Sequence, residues 1–230
     1  MAWRCSGSTN AELIANMSRN AIFTSSRVAT AMNNVDRAHY VLDKRDAYTD
    51  SPQPIGHGAT ISAPHMHAYA AENLLSFLNP GLKVLDVGSG SGYLCAVFHH
   101  LTTSEDKNGK VVGIEHIPEL VEWSKENVKK DGLGKALENG EIEFITGDGR
   151  LGHPEGGPYD AIHVGAAAPT LPKALVTQLA SPGRMFIPVG TFSQVIMQID
   201  KDKQGNVTEK EILDVMYVPL TDAPKKRREL

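Results

Sequence analysis

The chain has 230 residues, a formal net charge of −4 at pH 7, and 41% hydrophobic against 22% charged residues, which fits one large domain with a buried core and an ordinary globular composition. The acidic balance speaks against a broad nucleic-acid-binding face, and two cysteines, Cys5 and Cys95, are too few for a disulfide framework and point to a reducing, cytoplasmic setting. With no N-terminal apolar leader core and no long apolar span, neither secretion nor membrane insertion is expected.

Thr9-Asn10-Ala11-Glu12 is a capping-box candidate, with Leu13, Ile14 and Met17 following at helical spacing. A second helix is expected to carry Val28, Met32 and Val35, and residues 43–58, rich in Asp, Pro, Gly and Tyr, read as loop. A short extended piece, Gly58-Ala59-Thr60-Ile61-Ser62-Ala63, is broken by Pro64, where a helix starts and runs to about residue 78. Thr60, Ser62, His65 and His67 gather at that helix N-terminus, a place to bind an anion such as a carboxylate. Equally, Ser62 reads as a plain helix cap with surface histidines beside it.

The chain is organised around Val84-Leu85-Asp86-Val87-Gly88-Ser89-Gly90-Ser91-Gly92. An apolar run reads as a buried strand, residues 93–101 as an apolar helix, and the glycines as the turn between them. Glycine permits positive φ and lets a ligand approach bare backbone. Such a corner binds nucleotides in a doubly wound sheet, but the third glycine falls one residue too early for the dinucleotide spacing. Asp86 would also repel a pyrophosphate. An acid beside bare glycines suits a cationic or zwitterionic ligand, and the stretch resembles the first motif of S-adenosylmethionine-dependent methyltransferases.

Residues 110–114 read as the second strand, ending at Glu115, which lies ~20 residues past the turn, where an acid holds ribose hydroxyls in this fold class. Pro118 fits a first helical position, with Leu120, Val121 and Val128 on one helix face. A third strand over 142–146 leads into Gly147-Asp148-Gly149, where Asp148 either reaches an adenine amino group or simply serves a turn. A fourth strand over 159–164 precedes the small residues Gly165-Ala166-Ala167-Ala168, with His163 read as a core histidine. A helix over 173–179, a turn at Ser181-Pro182-Gly183, and strands over 184–189, 195–199 and 212–218 complete the pattern. Asp202 to Asn206 reads as a turn and the Lys225-Lys226-Arg227-Arg228 run as a solvated tail.

Taken together, Ala59-Thr60-Ile61-Ser62-Ala63-Pro64-His65-Met66, the glycine turn, Gly147-Asp148-Gly149-Arg150, Tyr159-Asp160-Ala161-Ile162-His163-Val164-Gly165-Ala166-Ala167 and Val218-Pro219-Leu220-Thr221-Asp222 resemble the animal-type protein-L-isoaspartate (D-aspartate) O-methyltransferases over nearly the whole chain. The resemblance implies an α/β fold with a doubly wound, mostly parallel seven-stranded Rossmann-like sheet and an N-terminal helical extension. It divides a single domain into residues 1–58 (helical segment and loop), 59–222 (catalytic core) and 223–230 (tail). It implies S-adenosyl-L-methionine as cofactor, S-adenosyl-L-homocysteine as its product, and no metal. Cofactor-site residues would be Ala59, Thr60, Ile61, Ser62, His67, Asp86, Gly88, Ser89, Gly90, Ser91, Gly92, Glu115, His116, Asp148, Gly149 and Thr221. Ser62 would be the catalytic residue, and Ser62, Ala63, His65 and Val218 would meet substrate. Partners would be isoaspartyl-containing peptides and proteins, not nucleic acid or membrane, and the enzyme would act as a monomer.

The chemistry is consistent with what the sequence lacks. A free α-carboxylate, with pKa about 3.5, is already ionised at neutral pH and needs no general base. Carboxylate attack on a sulfonium needs no Lewis acid, and the nine histidines show no paired metal-ligand spacing. Methyl transfer to a nucleic-acid amino group is the rival on the same fold, but its Asn- or Asp-Pro-Pro-Tyr tetrapeptide is replaced by Gly165-Ala166-Ala167-Ala168. A module that binds the cofactor without turnover is the non-enzymatic rival, against which the intact Ala59–Met66 run argues.

Overall fold

A computed structural model describes residues 5–220. Helix α1 (Asn10–Arg19) is capped by Thr9, whose side chain accepts the Glu12 N–H (3.2 Å), while Glu12 returns its carboxylate to the Ser8 N–H (2.8 Å). The capping box is thus shifted by one residue on its return arm. Helix α2 (Ser26–Asn33) turns Val28 and Met32 inward, and Val35 is buried just past its end.

Residues 43–58 depart from the expected loop. Gln53–Gly56 forms strand β1, paired antiparallel with β2 (Ala59–Ile61). Gly56, His57 and Gly58 all adopt positive φ in the hairpin turn, so the turn residues that suggested a loop serve a hairpin instead. Helix α3 (Pro64–Leu74) follows, with Pro64 in its first turn and a tighter turn over Leu75–Phe77 at its end.

The large sheet then begins. Strand β3 (Lys83–Val87) leads to α4 (Tyr93–Thr102), β4 (Lys110–Glu115) to α5 (Pro118–Lys130) and the short α6 (Gly134–Glu138), and β5 (Ile142–Thr146) ends the first half. Strand β6 (Tyr159–Val164), α7 (Lys173–Gln178), β7 (Leu179–Gly190), β8 (Gln194–Lys201) and β9 (Val207–Val215) complete it. The strand order is β5-β4-β3-β6-β7-β8-β9, with β3 to β7 parallel and β8 and β9 antiparallel. Alternation along the strands feeds two cores: Val84 and Val111 face one side, Leu85 and Val112 the other. This is the expected doubly wound, mostly parallel seven-stranded sheet.

Two strand boundaries are corrected. Ser181-Pro182-Gly183 lies inside β7 rather than in a turn, at an irregular register where Tyr159 faces Leu179 and Ala161 faces Arg184; an extended chain with a bulge tolerates Pro and Gly that a regular strand would not. The last strand starts at Val207, not 212, because the Asp202–Asn206 turn closes tightly: Asp202 Oδ1 accepts the Gln204 and Asn206 N–H groups (2.8 Å each). Its exposed first half (Val207 to Glu211) has no apolar face to mark it. The chain passes from β3 to β4 and β5 on one side and then crosses to β6 on the other. Ligands bind at such a crossover, beyond the strands' carboxyl ends.

Candidate active site

The crossover is built by two turns. After β3, Gly88, Gly90 and Gly92 have φ of +73°, +53° and +86°, values that L side chains avoid. A Cβ at Gly92 would also come within 3.0 Å of Phe144 and Ser124. After β6, the Gly165 N–H donates to the Val87 carbonyl (2.8 Å), and a Cβ there would sit 3.0 Å from the Gly88 oxygen. The two turns therefore touch through bare backbone.

Between them lies a small polar pocket of about 30 Å³, walled by Asp86, Gly88, Ser89, Gly90, Ser91, Tyr93 and Leu94, by Thr60, Ile61, Ser62 and His67, and by His163 and Gly165. Asp86 is buried; one oxygen meets His163 Nδ1 at 2.7 Å and the other accepts from Cys95 Sγ at 3.2 Å. Burial and the Asp86 charge push the Cys95 thiol pKa well up, so it stays a thiol and donates. His163 is the core histidine expected, and it also borders the pocket. The buried Ser89 hydroxyl has no hydrogen-bond partner. An acid, an orphaned hydroxyl and bare glycines fit the methionine and ribose groups of an S-adenosyl ligand.

A cleft of about 740 Å³ opens beside this pocket, lined by Ala63, His65, Met66 and Tyr69 on one wall and by residues 213–219 on the other. Thr60, Ser62 and Gly165 line both cavities, so Ser62 stands where they meet. It is not a helix cap: the N-cap of α3 is Ala63, with no side-chain cap bond. Ser62 lines the cleft together with Tyr217, whose hydroxyl pKa burial raises above its ordinary value. Gln194 holds the opposite wall in place, accepting the Tyr217 N–H (2.6 Å) and donating to its carbonyl (3.1 Å).

Asp50 supplies the missing cap from another part of the chain. Its Oδ1 accepts the His65 backbone N–H (3.0 Å) and meets His65 Nδ1 (2.8 Å). This satisfies an orphan donor of the first helical turn and turns the His65 ring edge toward the cleft.

The expected cofactor residues divide into two groups. Thr60, Ile61, Ser62, His67, Asp86 and the turn residues Gly88, Ser89, Gly90 and Ser91 line the small pocket; Gly92 caps α4 behind it, and Ala59 opens β2. Glu115, His116, Asp148 and Gly149 line neither cavity. They stand on the β4–β5 side of the glycine turn: buried Glu115 accepts the Gly90 and Ile117 N–H groups (3.1 Å each), with His116 Nδ1 at 3.4 Å. Asp148 is paired with Arg150 at 2.7 Å, a contact that holds its carboxyl below the ordinary range, and a Cβ at Gly149 would come 2.6 Å from Val87. Among the substrate candidates, Ala63, His65 and Val218 all line the cleft. Thr221 lies outside the described residues.

Arg37, Asp50, Tyr93 and Tyr217 are site residues that sequence reasoning missed. No local pattern marks Arg37, Asp50 or Tyr217, which come from segments remote in sequence from the glycine turn, and Tyr93, directly after that turn, reads as one more apolar residue of the α4 helix.

His67 makes stability depend on pH. Burial first, and the Arg37 charge second, hold its pKa well below 6.5, so it is neutral when folded. The unfolded chain takes up that proton near pH 6.5 while the folded chain refuses it. The stabilisation is complete above that pH and is lost as pH falls toward the lowered folded value, at up to about 1.4 kcal/mol per pH unit. His99 and His100, also lowered by burial, act in the same direction. Urea unfolding between pH 7.5 and 5.5 is expected to show falling stability, with a shallower slope for His67→Gln; an equal slope in both would remove His67 from this account.

With this geometry in place, comparison with known proteins gives a consistent result. A family model described as protein-L-isoaspartate(D-aspartate) O-methyltransferase matches residues 8–225. The chain is 52% identical over 223 residues to the protein-L-isoaspartate O-methyltransferase of Caenorhabditis elegans, covering 96% of each. It is 49% identical over 212 residues to that of Triticum aestivum, covering 92% of this chain and 91% of the relative. Among solved structures, that of a Plasmodium falciparum protein described as a protein-L-isoaspartate O-methyltransferase, in complex with S-adenosyl-L-homocysteine, superposes with a TM-score of 0.86 at 36% identity, covering 94% of this chain and 99% of that one. The glycine turn and the cleft that meet at Ser62 thus belong to a chain that these relatives match over nearly its whole length, and the chain belongs to the protein-L-isoaspartate(D-aspartate) O-methyltransferase family.

Proposed function

We infer that the chain is a protein-repair methyltransferase: it transfers a methyl group from S-adenosyl-L-methionine to the free α-carboxylate of L-isoaspartyl, and D-aspartyl, residues in damaged proteins. The observation that carries the site assignment is the meeting of a small polar pocket and a large, partly apolar cleft at Thr60, Ser62 and Gly165. The small pocket, about the size of one water, would take only a polar end of the cofactor, with the rest lying along the glycine turn toward Glu115, and the cleft suits a polypeptide. Asp86, Ser89 and the glycine turn would hold the cofactor's polar end, and Glu115 its ribose. When bound, the cofactor supplies an activated methyl on a sulfonium.

The chain's own residues then bind, orient and exclude water. Its work is to bring a carboxylate oxygen into line with the methyl carbon and to replace the carboxylate's water with fixed donors. The Ser62 hydroxyl would be a side-chain donor at the junction, beside that of Thr60. Because the nucleophile arrives ionised, no proton has to move in the transfer. The methyl ester then closes to a succinimide outside the enzyme, as the following backbone nitrogen attacks the ester carbonyl and methanol leaves, and hydrolysis of the succinimide returns part of the material to normal aspartyl linkages. A cytoplasmic setting, supported by the free, buried thiols of Cys5 and Cys95, and a monomeric state belong to the same reading.

Ser62→Ala tests the assignment. Since Ser62 caps nothing, the change is expected to lower turnover of an isoaspartyl peptide while the melt moves by less than the ~1 kcal/mol of a lost cap. Methyl transfer at saturating cofactor and thermal melting are measured on the same sample. Wild-type turnover together with a clearly lowered melting temperature would refute the role.

A further inference from the structure

Arg37 is 0% exposed and comes from the N-terminal segment, in a tight turn over Arg37–His39 between α2 and β1. Its guanidinium reaches three walls of the small pocket at once. Nη2 donates to the Ser62 carbonyl (2.8 Å), Nη1 lies 3.4 Å from His67 Nδ1, and the group sits 5.6 Å from the centre of the Tyr93 ring. Nε is buried with no partner. Among the described residues no carboxylate pairs with it; Asp50 acts on it only at longer range, and burial pushes its pKa down to about 10, which leaves it cationic at neutral pH. A fully buried cation facing a carbonyl, a neutral imidazole and a ring face, with no anion in contact, has an electrostatic deficit that an incoming anion would relieve.

We propose that Arg37 is a positioning residue of the transfer reaction: it locks Ser62, His67 and Tyr93 into one frame and gives the junction of the two cavities a positive potential that favours a carboxylate over a neutral group. The proposal rests on the reading of the site given above. The guanidinium fork does the locking, since it reaches Ser62 and His67 with separate nitrogens, which a lysine cannot do. The charge does the selecting, since Coulomb attraction across a buried site is much stronger than in water.

The two roles separate in Arg37→Lys and Arg37→Met, tested with two peptides. One carries the isoaspartyl α-carboxylate; the other carries an α-carboxamide at the same place and is read as a competitive inhibitor. Folded fraction is followed by circular dichroism, and rates are taken per folded molecule. Arg37→Lys is expected to lower kcat by about tenfold to a hundredfold through misplacement of Ser62, while keeping the preference for carboxylate over carboxamide. Arg37→Met is expected to lower kcat similarly and to reduce that preference by about tenfold or more, the worth of a charged interaction. A merely structural arginine would lower the melting temperature and leave both kcat per folded molecule and the preference as in the wild type, which would overturn the proposal. If Arg37→Met does not fold, the lysine variant decides: wild-type kcat in it removes the locking role. A wild-type enzyme that fails to methylate the isoaspartyl peptide at all would overturn the functional reading itself, a result distinct from unaffected Arg37 variants.

Discussion

Glu115→Ala is expected to weaken binding of S-adenosyl-L-homocysteine by about ten- to a hundredfold, the equivalent of roughly 1.5–3 kcal/mol for a charged hydrogen-bond acceptor. Two losses add here. The carboxylate placed for ribose hydroxyls disappears, and so does the acceptor that holds the Gly90 and Ile117 N–H groups. The glycine turn is then free at the residue whose φ is +53°, and the bound geometry must be ordered at the expense of affinity. The ratio of rates on isoaspartyl and aspartyl peptides is expected to stay the same, because Glu115 lines neither cavity wall that meets the peptide. Calorimetric titration checks the first part. An unchanged dissociation constant would mean that the ribose is held elsewhere and that the turn does not need its clasp.

Asp50→Ala is expected to be the most destabilising of the single changes considered. Asp50 is 1% exposed and one of its oxygens serves both the backbone and the ring of His65. Its N–H is held by the Ser6 hydroxyl (2.9 Å), and burial and the Asp50 charge keep the Cys5 thiol pKa raised. Removing the carboxylate leaves a first-turn N–H of α3 and the half-buried His65 imidazole without their acceptor. Breaking a fully buried pair costs about 3–5 kcal/mol; the cleft-side exposure of His65 and the loss of the unpartnered second Asp50 oxygen put the expectation at about 3 kcal/mol. For a domain of this length that lowers the melting temperature by about 6–12 °C. The peptide KM should rise in the molecules that remain folded, since the His65 ring is no longer held against the cleft. A melt within a degree of the wild type would show that Asp50 neither caps α3 nor fixes His65.

Much of this architecture is legible in the sequence. The strand over 159–164 and the start of α4 at Tyr93 follow from apolar runs beside glycine, and the edge strand over 142–146 from the alternation of Ile142 and Phe144 with more exposed residues, ended by Gly147. What stays hidden depends on tertiary contacts. Gln53–Gly56 carries the Pro and Gly of a loop and becomes a strand only because Ala59–Ile61 lies across from it. The polar half of β9 is a strand because β8 pairs with it. The candidate site divides in the same way. The glycine turn and Glu115 stand out by local spacing, whereas Ser62 reads locally as anion site and helix cap alike and is singled out by the family resemblance. Arg37 and Asp50 do not, since a buried charge is recognised by what it touches, and their partners lie 25 and 15 residues away.

The central claim is tested most directly by incubating the protein with methyl-labelled S-adenosyl-L-methionine and two peptides of one sequence, one with an L-isoaspartyl and one with a normal L-aspartyl linkage. The account predicts base-labile methyl ester on the isoaspartyl peptide and none above background on the aspartyl one. Equal labelling of both peptides, or labelling of neither while S-adenosyl-L-homocysteine still binds, would contradict it.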